Sequence, residues 1–478
     1  MWSDRLDAAS RQTLIENLRR VLPAPRPAAR AQTALLEWRR DPAEVAEALR
    51  RQPGFAWLDR PNARLFADPL VRIEVCGRRA TVAGPGGTVA FEAGGLDLVE
   101  AALAAWGGPG NALLCGYLGY ELGAELEDVV LPPRRAVDLP ELALSLFDWR
   151  LEHVQGAWSF HATDAWRSVT FGDVEALAGK ACPPRDEGFA APPVASTPTG
   201  EGFRGAVARA VERIRNGELF QVNLCRRLET SIDAANVWAF YRRLRAISPA
   251  SQGAFLDLGA DRAVLSASPE LFLSMEDRRV RSCPIKGTRP RGATPEADRE
   301  LARDLQTSEK DRAELSMIVD VTRNDLGRVC RAGSVAVSRH AELMTLPTVH
   351  HTYSEVTGVL RDDCSGADLL RASFPPASIT GAPKIRAMQV AAEEEGYLRG
   401  PAMGAIGWIS MAGDLELSVG IRTAAASGGH LSYLAGCGIT AESVPLEELE
   451  ESEAKAAAFR RALEAAAITT AVRESTRS

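Results

Sequence analysis

Lysine is nearly missing from this 478-residue chain, in which five lysines stand against 51 arginines. Cations needed only for solubility or a surface ion pair are almost all arginine, so a retained lysine is a candidate for chemistry that guanidinium cannot do. Arginine does not give up its proton, whereas a suitably buried lysine becomes a neutral amine nucleophile. Other absences narrow the function further. No Cys-x-x-Cys pair occurs among Cys76, Cys115, Cys182, Cys225, Cys283, Cys330, Cys364 and Cys437, which favours reduced thiols over a disulfide framework or a zinc site. No apolar run approaches the ~20 residues of a membrane span. A net charge of −7 offers no basic footprint for nucleic acid. No glycine fingerprint of a dinucleotide-binding βαβ unit is present. Asp4, Asp7 and Glu16 interrupt the Ala- and Arg-rich start, no signal-peptide core follows, and a cytoplasmic location is expected.

The length allows two or three domains. Residues 183–200 are rich in proline and poor in groups to bury, so they read as a linker between an N-terminal α/β segment (1–182) and a larger domain (201–470). Periodicity predicts helices at 42–51, 203–214, 296–307, 309–322, 383–396 and 446–465. It predicts strands at 71–75, 81–91, 219–228, 253–258, 262–266, 271–275, 404–410, 415–425 and 430–435. The turn Met411-Ala412-Gly413-Asp414 between two strand-like runs implies a hairpin and antiparallel sheet, hence an α+β fold.

Chemistry-bearing residues fall in short motifs along the second half. They are Ser268-Pro269-Glu270, Pro284-Ile285-Lys286-Gly287-Thr288, Lys310-Asp311-Arg312-Ala313-Glu314 and residues 319–328. Ser378-Ile379-Thr380-Gly381-Ala382-Pro383-Lys384, Gly420-Ile421-Arg422-Thr423, Gly436-Cys437-Gly438-Ile439 and residues 448–455 follow. Gly287 beside Lys286 permits close approach of a backbone or ligand. Asp311 and Glu314 share a helix face, as do Glu448 and Glu451, and Lys455 lies one turn beyond Glu451. Four carboxylates without a histidine or thiolate beside them suit a hard ion such as Mg²⁺, which keeps several waters. Arg422 offers a planar fork for a carboxylate, and Gly436 and Gly438 can present N–H groups. Taken singly each has a plain alternative: a solvated loop lysine, acidic helix faces in water, a surface arginine, a Gly-Cys-Gly turn.

In this fixed order the motifs resemble the chorismate-utilising enzyme family, strongly over about 200–465 and weakly over about 50–180. The resemblance implies two large packed antiparallel sheets with helices outside, the N-terminal segment joining the same body. It implies Mg²⁺ held between carboxylates, with Glu314 and Glu451 as direct ligands, Glu448 beside them, and Asp311 where relatives usually carry glutamate. Chorismate would be held at positions matching Arg422, Lys455, Thr380, Gly436, Gly438 and His351, the last next to His350. Glu270 matches the glutamate that helps the ring hydroxyl leave. Lys286 matches members that aminate chorismate to 4-amino-4-deoxychorismate through a covalent lysine intermediate; anthranilate-forming members carry alanine there. Gln221 replaces the lysine with which isochorismate- and salicylate-forming members activate water. Trp408 replaces a common tyrosine, and substrate placement is the expectation this weakens. Leu35-Leu36-Glu37 matches part of a tryptophan-feedback motif, but Trp38 replaces its serine and no tryptophan inhibition is inferred.

Nitrogen must be supplied from elsewhere. Cys115-Gly116-Tyr117-Leu118-Gly119 only faintly resembles a nucleophile elbow, and His340-Ala341-Glu342 lies within the family segment. A separate glutamine amidotransferase subunit, or free ammonia, is therefore expected. The alternatives are an anthranilate-forming enzyme and a non-catalytic glutaminase-binding subunit; retention of Glu270, Lys286, Glu314, Glu451 and Lys455 together speaks against the second.

Overall fold

The structure, a computed structural model, describes residues 7–26, 30–107, 111–127, 129–178, 189, 191–346 and 349–464. Two antiparallel twelve-stranded sheets dominate them. The first runs Ala31–Leu36, Ala157–Thr163, Trp149–Val154, Ala63–Phe66, Ala56–Asp59, Gln252–Gly259, Arg262–Ser268, Thr423–Ser427, His430–Ile439, Gln221–Ser231 and Ala195–Thr197, with Gly381–Ala382 on a side branch. The second runs Ile285–Pro290, Val349–Val359, Arg279–Cys283, Leu271–Glu276, Leu415–Val419, Ala405–Ser410, Leu113–Leu118, Leu142–Phe147, Val71–Cys76, Arg79–Gly84 and Gly87–Glu92, with Ala336–Thr345 also pairing to Val349–Val359.

Both halves of the chain contribute strands to both sheets. Phe255 pairs with Trp57 in the first sheet, and Gly407 pairs with Gly116 in the second. Most of the stretch read as a linker lies outside the described residues, while Ala195–Thr197 within it is an edge strand paired with Gln221–Ser231. Strand burial follows position. Val71–Cys76 alternates buried and half-buried residues, whereas Leu113–Leu118 is buried throughout, as a strand covered on both faces must be. The C-terminal helix Pro445–Glu464 lays Glu448, Ser452, Ala456 and Phe459 inward at four-, four- and three-residue steps, with the Phe459 ring stacked on Tyr433 at 4.8 Å.

Two expected strands are each in fact two, and the run 81–91 folds back as the paired strands Arg79–Gly84 and Gly87–Glu92 of the second sheet. The run 415–425 breaks into Leu415–Val419 in the second sheet and Thr423–Ser427 in the first, with the chain crossing over at Gly420-Ile421-Arg422 and Arg422 at φ 49°. A similar crossing occurs at Pro269-Glu270, between Arg262–Ser268 and Leu271–Glu276. The two crossings are tied to each other: Ala267 N donates to Arg422 O and Val419 N to Glu270 O, both at 3.0 Å. Glu270 and Arg422 are thus fixed where the sheets exchange chain.

Candidate active site

Lys286 lies on Ile285–Pro290, in the edge strand of the second sheet, opposite Thr352. The Thr352 hydroxyl donates to the Lys286 carbonyl, which fixes the backbone and leaves the amine directed by packing. Gly287 takes a left-handed φ of 75°, and a β-carbon there would press on Leu305 and within 3.1 Å of the Asp311 side chain. Its service is therefore to admit the start of helix Glu309–Gly327. The first sheet meets Lys286 from the other side. A β-carbon on Gly438 would stand 3.3 Å from Lys286 Nζ and clash with Gln221 Nε2. Both polar atoms of the Gln221 side chain are buried without a hydrogen-bond partner, so an amide and an amine with unspent capacity adjoin the same point.

Glu270 is buried. Burial raises its pKa to about 7, against the Ser378 hydroxyl, the charge of Lys286 and the Ile285 N–H, which favour the carboxylate. Near neutral pH it holds a proton about half the time, the condition for a general acid.

The carboxylates come from two helices. Burial raises the pKa of Glu314, partly countered by Lys286 and Lys310, with Glu451 adding repulsion. Burial raises that of Glu448 too, and Ser443 Oγ donates to its Oε1 at 2.7 Å while Oε2 is buried without a partner. Glu451 is half exposed and pairs with Lys455 Nζ at 2.7 Å; burial opposes its charge, but Lys455 holds its pKa below the ordinary value. Lys455 Nζ also donates to Gly436 O at 2.9 Å. Asp311 differs from the others, because its N–H meets the Ser308 cap and its carboxylate meets Arg289 at 3.2 Å. It belongs to the helix start and its arginine, which agrees with the sequence departure at that position. Magnesium fits Glu314, Glu448 and Glu451, since an orphaned buried carboxylate oxygen is what a hard cation would satisfy.

A sulfur does lie beside these carboxylates, as a thiol and not a thiolate, since burial pushes the Cys437 pKa well above its ordinary value. The Cys437 sulfur lies with ligand atoms of Glu448 and Glu451, all within 4.8 Å of one another. Cys437 and Glu448 are eleven positions apart, and only the packing of helix Pro445–Glu464 on strand His430–Ile439 brings them together. Lys310 was likewise unassigned from sequence, yet its charge acts on Glu314, Glu448 and Glu451.

Arg422 has no ion-pair partner among the described residues, and burial lowers its pKa. An unpaired, partly buried guanidinium is poised for an incoming carboxylate. The histidine pair divides, as successive strand residues must. His350 is occupied with Asp298 at 2.9 Å and Thr345 at 3.0 Å. His351 Nδ1 lies 2.9 Å from Thr288 Oγ1 and 3.2 Å from Gly287 O, while Nε2 is buried without a partner. Burial first, then Arg422, push His351 down to about 4, so the ring is neutral at pH 7. Thr380 is fully buried; its hydroxyl donates to Pro376 O at 2.9 Å and its carbonyl accepts from Asn223 N at 2.9 Å. It shapes the wall and can offer a ligand only hydroxyl lone pairs. Trp408 sits with its ring 4.2 Å from the Arg64 guanidinium and Nε1 unpartnered. Cys115 is buried in mid-sheet opposite Trp408, with burial raising its pKa to about 12, the reverse of an activated nucleophile.

Residues 76–461 match the chorismate binding enzyme family, and the chain belongs to that family. It is 44% identical over 305 residues to an aminodeoxychorismate synthase of Streptomyces griseus, covering 63% of this chain and 42% of that longer protein. It is 39% identical over 349 residues to aminodeoxychorismate synthase component 1 of Salmonella typhimurium, covering 72% and 74%. Anthranilate synthase component I from Streptococcus pneumoniae superposes with a TM-score of 0.70 at 27% identity, covering 82% of this chain and 90% of that one.

Proposed function

We propose that the chain aminates chorismate at ring C4 to give 4-amino-4-deoxychorismate, with Lys286 as a transient covalent nucleophile and ammonia made by a separate glutaminase subunit. The observation that carries this reading is the place of Lys286 Nζ, directly beside Gly438 and within the electrostatic reach of Glu270, Glu314 and Glu451. Relatives named component 1 support a second component.

Arg422 and neutral His351 orient the substrate's carboxylates, and Lys455 together with the Gly436–Gly438 strand closes the side nearest Glu451. Lys286 first gives a proton to the Glu270 carboxylate, and its freed amine adds at C2 while the diene electrons shift and the C4–O bond breaks. Glu270 gives its proton to the departing hydroxyl, which leaves as water. Ammonia then adds at C4, the electrons return, and the C2–N bond to Lys286 breaks. Overall, chorismate and ammonia become the amino acid product and water. When bound by Glu314, Glu448 and Glu451, Mg²⁺ would neutralise substrate carboxylate charge and polarise the ring substituents.

Incubation of the full chain with chorismate, Mg²⁺ and ammonium, followed by mass spectrometry, tests the reading. Wild type should form 4-amino-4-deoxychorismate, and Lys286→Ala should lose it by roughly 10⁴-fold, any remaining flux going to anthranilate-like product. Ammonia is the nucleophile, so turnover at fixed total ammonium should climb with pH, and glutamine alone should not serve. Unchanged turnover in the variant would remove Lys286 from the chemistry; efficient glutamine use by this chain alone would remove the separate subunit.

A further inference from the structure

We propose that Cys437, Glu448 and Glu451 form a binding site for thiophilic divalent cations of the zinc class, a property distinct from the hard-ion reading of the same cleft and independent of whether Mg²⁺ is the working ion. One ligand atom from each residue lies within 4.8 Å of the other two. Glu448 is buried, one carboxylate oxygen taking the Ser443 hydroxyl at 2.7 Å and the other having no partner. Cys437 is fully buried, its thiol donating to the Glu448 carbonyl at 3.2 Å. Lys455 holds one oxygen of Glu451, which leaves the second for an ion. The sulfur and one oxygen from each of the two carboxylates therefore converge.

Donor chemistry decides which ion this set prefers. Mg²⁺ takes oxygen and leaves thiols alone, whereas Zn²⁺ accepts sulfur at ~2.3 Å and carboxylate oxygen at ~2.0–2.2 Å with a fourth position open to water. Closing on such an ion asks the three atoms to approach by about 1 Å, a movement within side-chain rotation. As the S–Zn bond forms, the thiol proton passes to solvent, and a bound zinc is matched by one thiolate and two carboxylates. An ion so held would occupy Glu448 and Glu451 together.

The full chain titrated with Co²⁺, as a spectroscopic stand-in for Zn²⁺, tests the site. Wild type should give a near-ultraviolet thiolate-to-cobalt charge-transfer band that Zn²⁺ abolishes. Zn²⁺ affinity, measured by competition with a chromogenic chelator, should fall at least about 100-fold in Cys437→Ser, beyond the ~10–100-fold of losing an outer partner. Glu448→Gln, checked for folding by circular dichroism, should weaken Zn²⁺ similarly and decides the matter if the serine variant misfolds. A wild type without the band, a band that persists in Cys437→Ser, or unchanged Zn²⁺ affinity in Glu448→Gln would overturn the proposal.

Discussion

Two acid–base clusters of this molecule spend their hydrogen-bonding capacity in opposite ways. At Glu395 and Arg399 it is used. Arg399 donates to Glu395 at 2.9 and 2.6 Å, to Ile379 O at 3.2 Å and to Asn223 O at 2.7 Å, and its guanidinium covers the Tyr120 ring at 4.4 Å. Glu395 also takes the Cys225 N–H at 2.8 Å. At the cleft, an oxygen of Glu448, His351 Nε2 and both ends of the Gln221 amide are buried and unspent. An unsatisfied buried polar atom costs about 1–3 kcal/mol. Core atoms such as Trp57 Nε1 and Tyr241 Oη are unspent too; what distinguishes the Gln221 amide and Glu448 is their place beside Lys286 and Glu451, whereas the satisfied pair marks a joint of the fold.

That contrast can be broken at its closed end first. Glu395→Ala leaves Arg399 charged and buried without its partner, so unfolding should become easier by about 3–5 kcal/mol, or roughly 10²–10⁴-fold in the folding equilibrium. Urea denaturation should show a lower midpoint at unchanged slope. A midpoint like that of wild type would mean the joint is not where the fold is held.

At the open end the effects move to chemistry. Glu270→Gln should lower turnover by about 10²-fold and, measured at fixed free ammonia, remove the decline of wild-type activity as pH rises through about 7. The same variant should gain stability at high pH. Because the folded-state pKa is raised, folding favours the protonated carboxyl; that contribution is full below the ordinary value of 4.5 and lost as pH climbs through about 7. Wild type should therefore be weaker at pH 8 than at pH 5 by up to about 3 kcal/mol relative to the glutamine variant. Parallel melting curves at both pH values would contradict the assignment. The smallest effect is expected at Glu451, which water already reaches. Glu451→Gln should raise the Mg²⁺ concentration for half-maximal activity by about tenfold with circular dichroism unchanged, and an unaltered titration would return Glu451 to a role as the partner of Lys455 alone.

Motif residues were legible where they lie close together in the chain. The carboxylate spacing, the lysine one turn beyond Glu451, and the helices at 296–307, 309–322, 383–396 and 446–465 follow from local periodicity, and the structure places helices there within a few residues. Contacts set by crossing from sheet to sheet were not legible. The apolar run through Val419 and Thr423 reads as one strand, because nothing local says that its ends belong to different sheets. Strands Ala336–Thr345 and Val349–Val359 went unread, the first being largely exposed and carrying little of the alternation that burial on one face imposes. Cys437 carried no signal either, since its neighbours become Glu448 and Glu451 only after the C-terminal helix docks.

The hydrogen bonds that tie the two sheet crossings make Glu270 and Arg422 members of one short mechanical linkage. Ala267 holds the backbone of Arg422, and Val419 holds that of Glu270, so under the proposed mechanism a displacement that draws Arg422 toward an anion would pull on the segment bearing Glu270. Grip and proton delivery then cannot drift apart independently. A guest that fails to seat its carboxylate leaves the acid in its resting place, and discrimination between guests becomes a matter of alignment as well as of fit.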